Sequence, residues 1–280
     1  MWIPPFIPVT SSDKALMLTV FGTSTEASVT FKELIPFVEK MFPDRNIVVP
    51  YTSGIIRDKL NQEIRDPDQK ILSPAQMLEK LKTMGCKDIA VVSTLLFDGT
   101  EHDKLKAAVD EFSSRNPSIR ISYLPPLLAE KSALRPVVNS LKKYLLQDGL
   151  NIVVSHGTED GHPVEQTYLD LARMVAETWP NACVGSVEGL PHMEDVLEWV
   201  GKQKDEEVRF LVFMFVAGDH AENDIVSDEE DSLFSAVRDM GKRPSVVWLE
   251  TSAGRGIASL GLDPEYRALL LDYYNRNVEK

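Results

Sequence analysis

Short apolar runs alternate along the chain with longer amphipathic stretches. Residues 15–21, 46–51, 89–97, 119–124, 150–155, 182–187, 208–216 and 246–249 each read as a buried strand. The stretches between them carry helical spacing. In 162–178, Val164, Tyr168, Leu171 and Val175 are separated by four, three and four positions, which places them on one helix face. Strands that are apolar on both faces, each followed by a helix, predict an α/β fold with a parallel sheet covered on both sides.

An internal repeat sharpens that expectation. Gly22, after the first strand, recurs as Gly157 after the fifth, and Gly54 recurs as Gly189, both at an offset of 135 residues. Gly99 and Gly218, after the third and seventh strands, are 119 apart, so the second half is shorter there. The first half uses the difference for an extra helical segment at 73–84. The pattern predicts two similar doubly wound lobes, 12–130 and 131–280, with mainly parallel sheets and a ligand cleft between them. The final helical stretch, 264–277, is expected to pack back across the lobes.

Composition narrows the function classes. The 280 residues are 43% apolar and 26% charged, with a net charge of −13. A field of that sign opposes nucleic acid and anionic membranes as partners. The two cysteines, Cys86 and Cys183, form no CxxC pair and read as buried thiols of a reducing compartment. The apolar start of the chain is short, proline-interrupted and without a basic leader, so a cytoplasmic protein is expected.

Ligands of open parallel sheets bind beyond the carboxyl ends of the strands. His156 ends the fifth predicted strand, Glu188 the sixth, and His220 follows the seventh. Glu101 follows the third, near the register of His220 in the other half. Two imidazoles and a carboxylate suit divalent Co, Ni, Fe or Zn in an open site. His102, His162 and His192 read as structural, with the His162 ring accepting a backbone N–H at a helix start. The acidic run 228–231 reads as the first turn of a helix with a Ser227/Glu230 capping box. Asp219, Asn223 and Asp224 are close enough in sequence to His220 to orient it.

The stretch Val216-Ala-Gly-Asp-His-Ala-Glu-Asn-Asp224, followed by Ser227-Asp228 and Asp231-Ser232, resembles the signature of the anaerobic-type cobalt chelatases, the sirohydrochlorin cobaltochelatases of the class II tetrapyrrole chelatase family. The resemblance extends in order to Phe21-Gly-Thr-Ser24, Thr52-Ser-Gly-Ile-Ile-Arg57, Gly99 with Glu101, His156-Gly157 and Val187-Glu-Gly189. It implies insertion of a divalent metal, Co2+ foremost, into sirohydrochlorin for corrin synthesis, without ATP or an organic cofactor. It implies His156, Glu188 and His220 as metal ligands and Glu101 as a further cleft glutamate. Glu188, Glu101 and the histidines, His156 among them, are the candidate proton acceptors. For a polycarboxylate macrocycle, Gly22, Thr23, Ser24, Thr52 and Ser53 are candidate cradles at helix N-termini, with Arg57 as a charge partner. Two departures stand out. The family often has adjacent histidines where Thr158-Glu-Asp-Gly161 precede a single His162, and a tryptophan where Leu233 stands. An iron or nickel chelatase for sirohaem or another tetrapyrrole, and a non-catalytic metal or tetrapyrrole carrier, are the alternative readings. Self-association into a homo-oligomer is compatible with all three.

Overall fold

The computed structural model describes residues 2–9, 12–159 and 161–278; Met1, Thr10, Ser11, Asp160, Glu279 and Lys280 lie outside it. The chain forms two compact units, Met1–Ala129 with Ala268–Lys280, and Glu130–Arg267.

The first unit runs β1 (Lys14–Thr19), α1 (Val29–Met41), β2 (Asn46–Val48), α2 (Gly54–Glu63), α3 (Pro74–Thr83), β3 (Asp88–Ser93), α4 (Thr100–Arg115) and β4 (Arg120–Tyr123). Its sheet has the order β2-β1-β3-β4, every pair parallel. Leu16, Met17 and Leu18 are fully buried, so β1 is covered on both faces, as a continuous apolar run requires. Serine caps set the crossover helices. Ser53 accepts from Ile56 N at the start of α2, and Ser73 and Gln76 form a capping box with Pro74 at the first turn of α3. The N-terminal segment lies along the edge strand. Ile7 and Ile47 exchange two antiparallel backbone hydrogen bonds of 2.9 Å, and Trp2 stacks on Phe31. Pro8 has no N–H to extend this ladder, and the segment shields the sheet edge.

The second unit runs α5 (Lys131–Ser140), β5 (Leu150–Gly157), α6 (Glu165–Thr178), β6 (Ala182–Glu188), α7 (Met193–Lys202), β7 (Glu207–Phe213), α8 (Leu233–Asp239), β8 (Arg243–Val246), β9 (Trp248–Thr251), β10 (Gly254–Ile257) and the first turn of α9 (Pro264–Val278). Its main sheet is β6-β5-β7-β8, again all parallel. The order is that of the first sheet with each strand replaced by its counterpart. Where the first unit crosses from β2 to β3 through α2 and α3, the second crosses from β6 to β7 through α7 alone. The extra segment read at 73–84 is α3.

Two elements differ from the sequence pattern. The stretch 246–249 is not one strand. β8 ends at Val246, and β9 begins at Trp248 and pairs antiparallel with β10 in a separate ladder. Pro244 disguises β8 as a loop, yet a strand at the sheet edge tolerates a residue without an N–H. β7 leaves the sheet at Phe213, three residues before the apolar run ends, because Met214 and Phe215 remain buried outside the ladder. The last helix, α9, is divided between the units at Arg267. Its start is tied to the second unit by Asp263, which caps Tyr266 N at 2.7 Å and meets Lys143 and Tyr144. Further along, Tyr273 and Tyr274 donate to the backbone oxygens of Pro125 and Ser93 in the first unit. No helix among the described residues is long and apolar enough to cross a membrane.

Candidate metal centre

In a sheet ordered β6-β5-β7-β8, the chain moves one way from β5 to β6 and the other way to β7. The crevice at that switch point, beyond the carboxyl ends, is where such folds bind ligands. His156 is the penultimate residue of β5, and His220 follows β7. The two rings meet there, with centroids 5.2 Å apart and planes at 88°.

A wide turn delivers His220. Residues His220–Ile225 form a π-helical turn, closed by Val226 N donating to Ala221 O at 3.1 Å. Its apolar side is written in the sequence as Ala217, Ala221 and Ile225, spaced four apart and buried in the core of the second unit. That spacing fits an α-helical face as well; the i+5 hydrogen bond is what makes the turn π-helical, and π-turns recur at functional sites. The opposite side carries His220 and Asp224, whose Nδ1 and Oδ2 are 2.6 Å apart. Both side chains are about half exposed.

Gly157 sets the relation of β5 to β6. Its φ is +80°, and a Cβ placed on it would lie 1.7 Å from the backbone oxygen of Glu188. Only glycine permits this approach, in which Thr158 N donates to Glu188 O at 3.1 Å. Gly157 is the register partner of Glu188. Partners in a parallel ladder share a face, as the hydroxyls of Ser155 and Ser186 show with their 2.9 Å contact. Strand alternation therefore directs His156 and Glu188 to opposite faces. Glu188 is exposed, and its charge, after burial, raises the Tyr168 phenol. The structure thus joins His156 to His220 and leaves the Glu188 carboxylate outside the pair. Among the described residues no three His, Cys, Asp or Glu side chains stand gathered around one point.

The same glycine device recurs in the first unit. Gly22 has φ +104°, and a Cβ there would lie 2.2 Å from the Tyr51 ring. The Thr23 hydroxyl accepts from Thr25 N, the Ser53 hydroxyl caps α2, and an Arg57 Nη1 donates to Tyr51 O. These groups hold the two strand-end loops in shape; Ser24 is half-buried beside them, and the Thr52 hydroxyl is buried without a hydrogen-bond partner. Glu101, in the first turn of α4, binds Lys104 Nζ through one oxygen at 2.7 Å, while its other oxygen is buried and unpartnered. His102 beside it is half-buried, with neither ring nitrogen hydrogen-bonded, Nδ1 3.4 Å from Asp103 Oδ1 and its ring 5.9 Å from Tyr123. The sequence reads His102 as structural; that its ring nitrogens make no hydrogen bond is a fact of the packing alone.

The remaining candidates resolve simply. His162 Nδ1 accepts from Val164 N at 3.1 Å, the helix-start role its sequence suggests. Burial pushes the Cys183 thiol up to about 12 and also raises Cys86, so both are protonated near neutral pH. The capping box expected at Ser227 is absent. Ser227 donates instead to Asn223 O, and the cap of α8 is Ser232, which accepts from Ser235 N. The acidic run is a turn before the helix, with Asp228 paired to Arg238.

Comparison with known proteins follows the same chain order. A family model described as "Cobalt chelatase (CbiK)" matches residues 14–277. The sirohydrochlorin cobaltochelatase of Salmonella typhimurium is 30% identical over 271 residues, covering 94% of this chain and 96% of that protein. The sirohydrochlorin cobaltochelatase CbiKC of Nitratidesulfovibrio vulgaris is 24% identical, covering 92% and 90%. Among solved structures, SirB from Bacillus subtilis with Fe3+ aligns at a TM-score of 0.60 and 15% identity, covering 95% of each chain. The cobalt complex of the sirohydrochlorin chelatase SirB from Bacillus subtilis subspecies spizizenii aligns at 0.57 and 14%, also over 95% of each chain. These two share the fold.

Proposed function

The chain belongs to the cobalt chelatase (CbiK) family, and from that premise we propose that it inserts Co2+ into sirohydrochlorin, with His156, His220 and Glu188 holding the metal. The observation that carries this reading is the histidine pair at the switch point of the second sheet. Two imidazoles on rigid backbone replace water on the ion stepwise, so no bare cation forms. Glu188 ends the adjacent strand on an exposed side chain, and to join the two histidines its carboxylate must turn round the strand end from the face opposite His156. An imidazole and carboxylate set with no thiolate favours first-row divalent ions and keeps positions open for handing the metal on.

Insertion releases two pyrrole protons for each divalent ion taken up, so the macrocycle's charge is balanced. Glu188, Glu101 and His156 are the groups proposed to receive them. Such positioned bases contribute about 10²–10⁴-fold in rate. The loops of Gly22, Thr23 and Ser24 and of Thr52 and Ser53, with Arg57, are proposed to hold the substrate's carboxylates. Their backbone N–H groups and the guanidinium supply positive potential that the acidic chain as a whole lacks.

Anaerobic incubation with sirohydrochlorin and, separately, Co2+, Fe2+ and Ni2+ tests the reading through the macrocycle absorbance. The expected result is catalytic formation of the cobalt complex, fastest of the three without ATP. A bound spectrum without turnover would make the protein a carrier. Faster iron or nickel insertion would reassign the working metal.

A further inference from the structure

We propose that Asp224 is a positioning residue that holds His220 as its Nδ1–H tautomer, so that Nε2 is the atom offered to the metal. The proposal rests on the reading of His220 as a ligand.

A carboxylate only accepts hydrogen bonds, so the 2.6 Å contact between Asp224 Oδ2 and His220 Nδ1 requires the proton on Nδ1. In a neutral imidazole the lone pair then belongs to Nε2. His156 repeats the arrangement more loosely, with Nδ1 3.4 Å from Gly157 O.

An exposed ion pair between flexible side chains would carry little meaning. Here the backbone does the holding. Ala221 and Ile225 have no exposed surface and anchor the π-turn in the core, so positions 220 and 224 are presented together on its outer side. The contact also sets the ring plane, which stands at 88° to that of His156. Asp224 thus selects which nitrogen binds and which way it faces, before any metal arrives. A carboxylate behind a ligating imidazole also raises its basicity.

The test reads the tautomer and the affinity separately. Long-range proton–nitrogen NMR of metal-free protein labelled at histidine, taken through a pH series to the alkaline plateau of the ring signals, reports which His220 nitrogen is protonated. Nδ1–H is expected in the parent. In Asp224→Asn, whose amide can donate or accept, a mixture or a switch to Nε2–H is expected. Cobalt affinity should fall about 10–100-fold in that variant, and Asp224→Glu should recover part of the loss. An Nε2–H tautomer in the parent, or an Asp224→Asn protein that keeps both tautomer and affinity, overturns the proposal. His220→Ala with parental cobalt affinity would instead remove the ligand reading itself, whatever the tautomer.

Discussion

Gly157→Ala adds one methyl group at the point where β5 and β6 close on each other, and its consequences can be worked out in advance. An L-residue at φ +80° costs about 1–2 kcal/mol in backbone strain. The new Cβ would start 1.7 Å from Glu188 O, so the strand ends must part by roughly 1.5–2 Å to reach ordinary contact. That movement breaks the hydrogen bond from Thr158 N to Glu188 O, worth about 1 kcal/mol. The sum is about 2–3 kcal/mol, or a drop in Tm on the order of 5–10 °C for a unit of this size. Because the moved residues flank His156 and include Glu188, cobalt affinity should fall with stability, by about 10–100-fold. Two controls separate the causes. Gly241 has φ +76° with nothing within 4 Å of its added Cβ, so Gly241→Ala carries the backbone strain alone. Gly201 lies in α7 with open space around it, and Gly201→Ala should stabilise by up to about 1 kcal/mol. Thermal unfolding and cobalt titration of all three variants make the comparison. If Gly157→Ala matches Gly241→Ala in both measurements, the strand-clamp explanation of Gly157 is wrong.

Other expectations follow from the site and its supports. Glu188→Gln should weaken cobalt binding and slow insertion together, while Glu194→Gln, on an exposed position of α7, should leave both unchanged; equal behaviour would remove Glu188 from the site. Cys183, half-buried, should resist alkylation near pH 8 until the protein unfolds, since with its thiol at about 12 the thiolate fraction is about 10⁻⁴; rapid labelling of the folded protein would contradict the raised thiol. The raised thiol also means that stability from this group is complete below the ordinary pKa of 9 and is lost as pH climbs from there towards 12, which alkaline unfolding of Cys183→Ser would check by its absence. Asp263→Ala should cost about 2–4 kcal/mol in urea unfolding, since it removes the cap of α9 and strips Lys143 of a buried partner; a loss under 1 kcal/mol would show that Lys143 relaxes onto Glu265.

The sequence made much of this legible. Period-2-free apolar runs announced parallel strands, and the Gly22/Gly157 offset announced the duplication that the matching strand orders display. The pair of glycines marks equivalent strand ends where another chain segment crowds the backbone, and that role demands glycine at both. The second glycine pair is less alike. Gly54 opens α2, whereas Gly189 lies in a turn with φ +65° before α7 starts at Met193. β8 was hidden because Pro244 is read locally as a breaker while its edge position is a tertiary fact. The π-turn was hidden for the opposite reason. Its apolar spacing of four at 217, 221 and 225 matches the ordinary α-helix template, so the pattern does not tell a π-turn from an α-helix. The histidine pair was legible as residues at strand ends, since His156 and His220 both follow apolar runs. Side-chain direction was not, and the alternation that parts Glu188 from His156 depends on a register that only the paired strands define.

The most direct test of the metal centre is an anomalous-difference map at the cobalt absorption edge from crystals grown with Co2+. The expected map has its strongest peak within about 2.0–2.2 Å of a ring nitrogen of both His156 and His220, with the Glu188 carboxylate drawn into the same coordination sphere. A strongest peak at Glu101 and His102, or on the acidic run 228–231, with the histidine pair empty, would contradict the assignment.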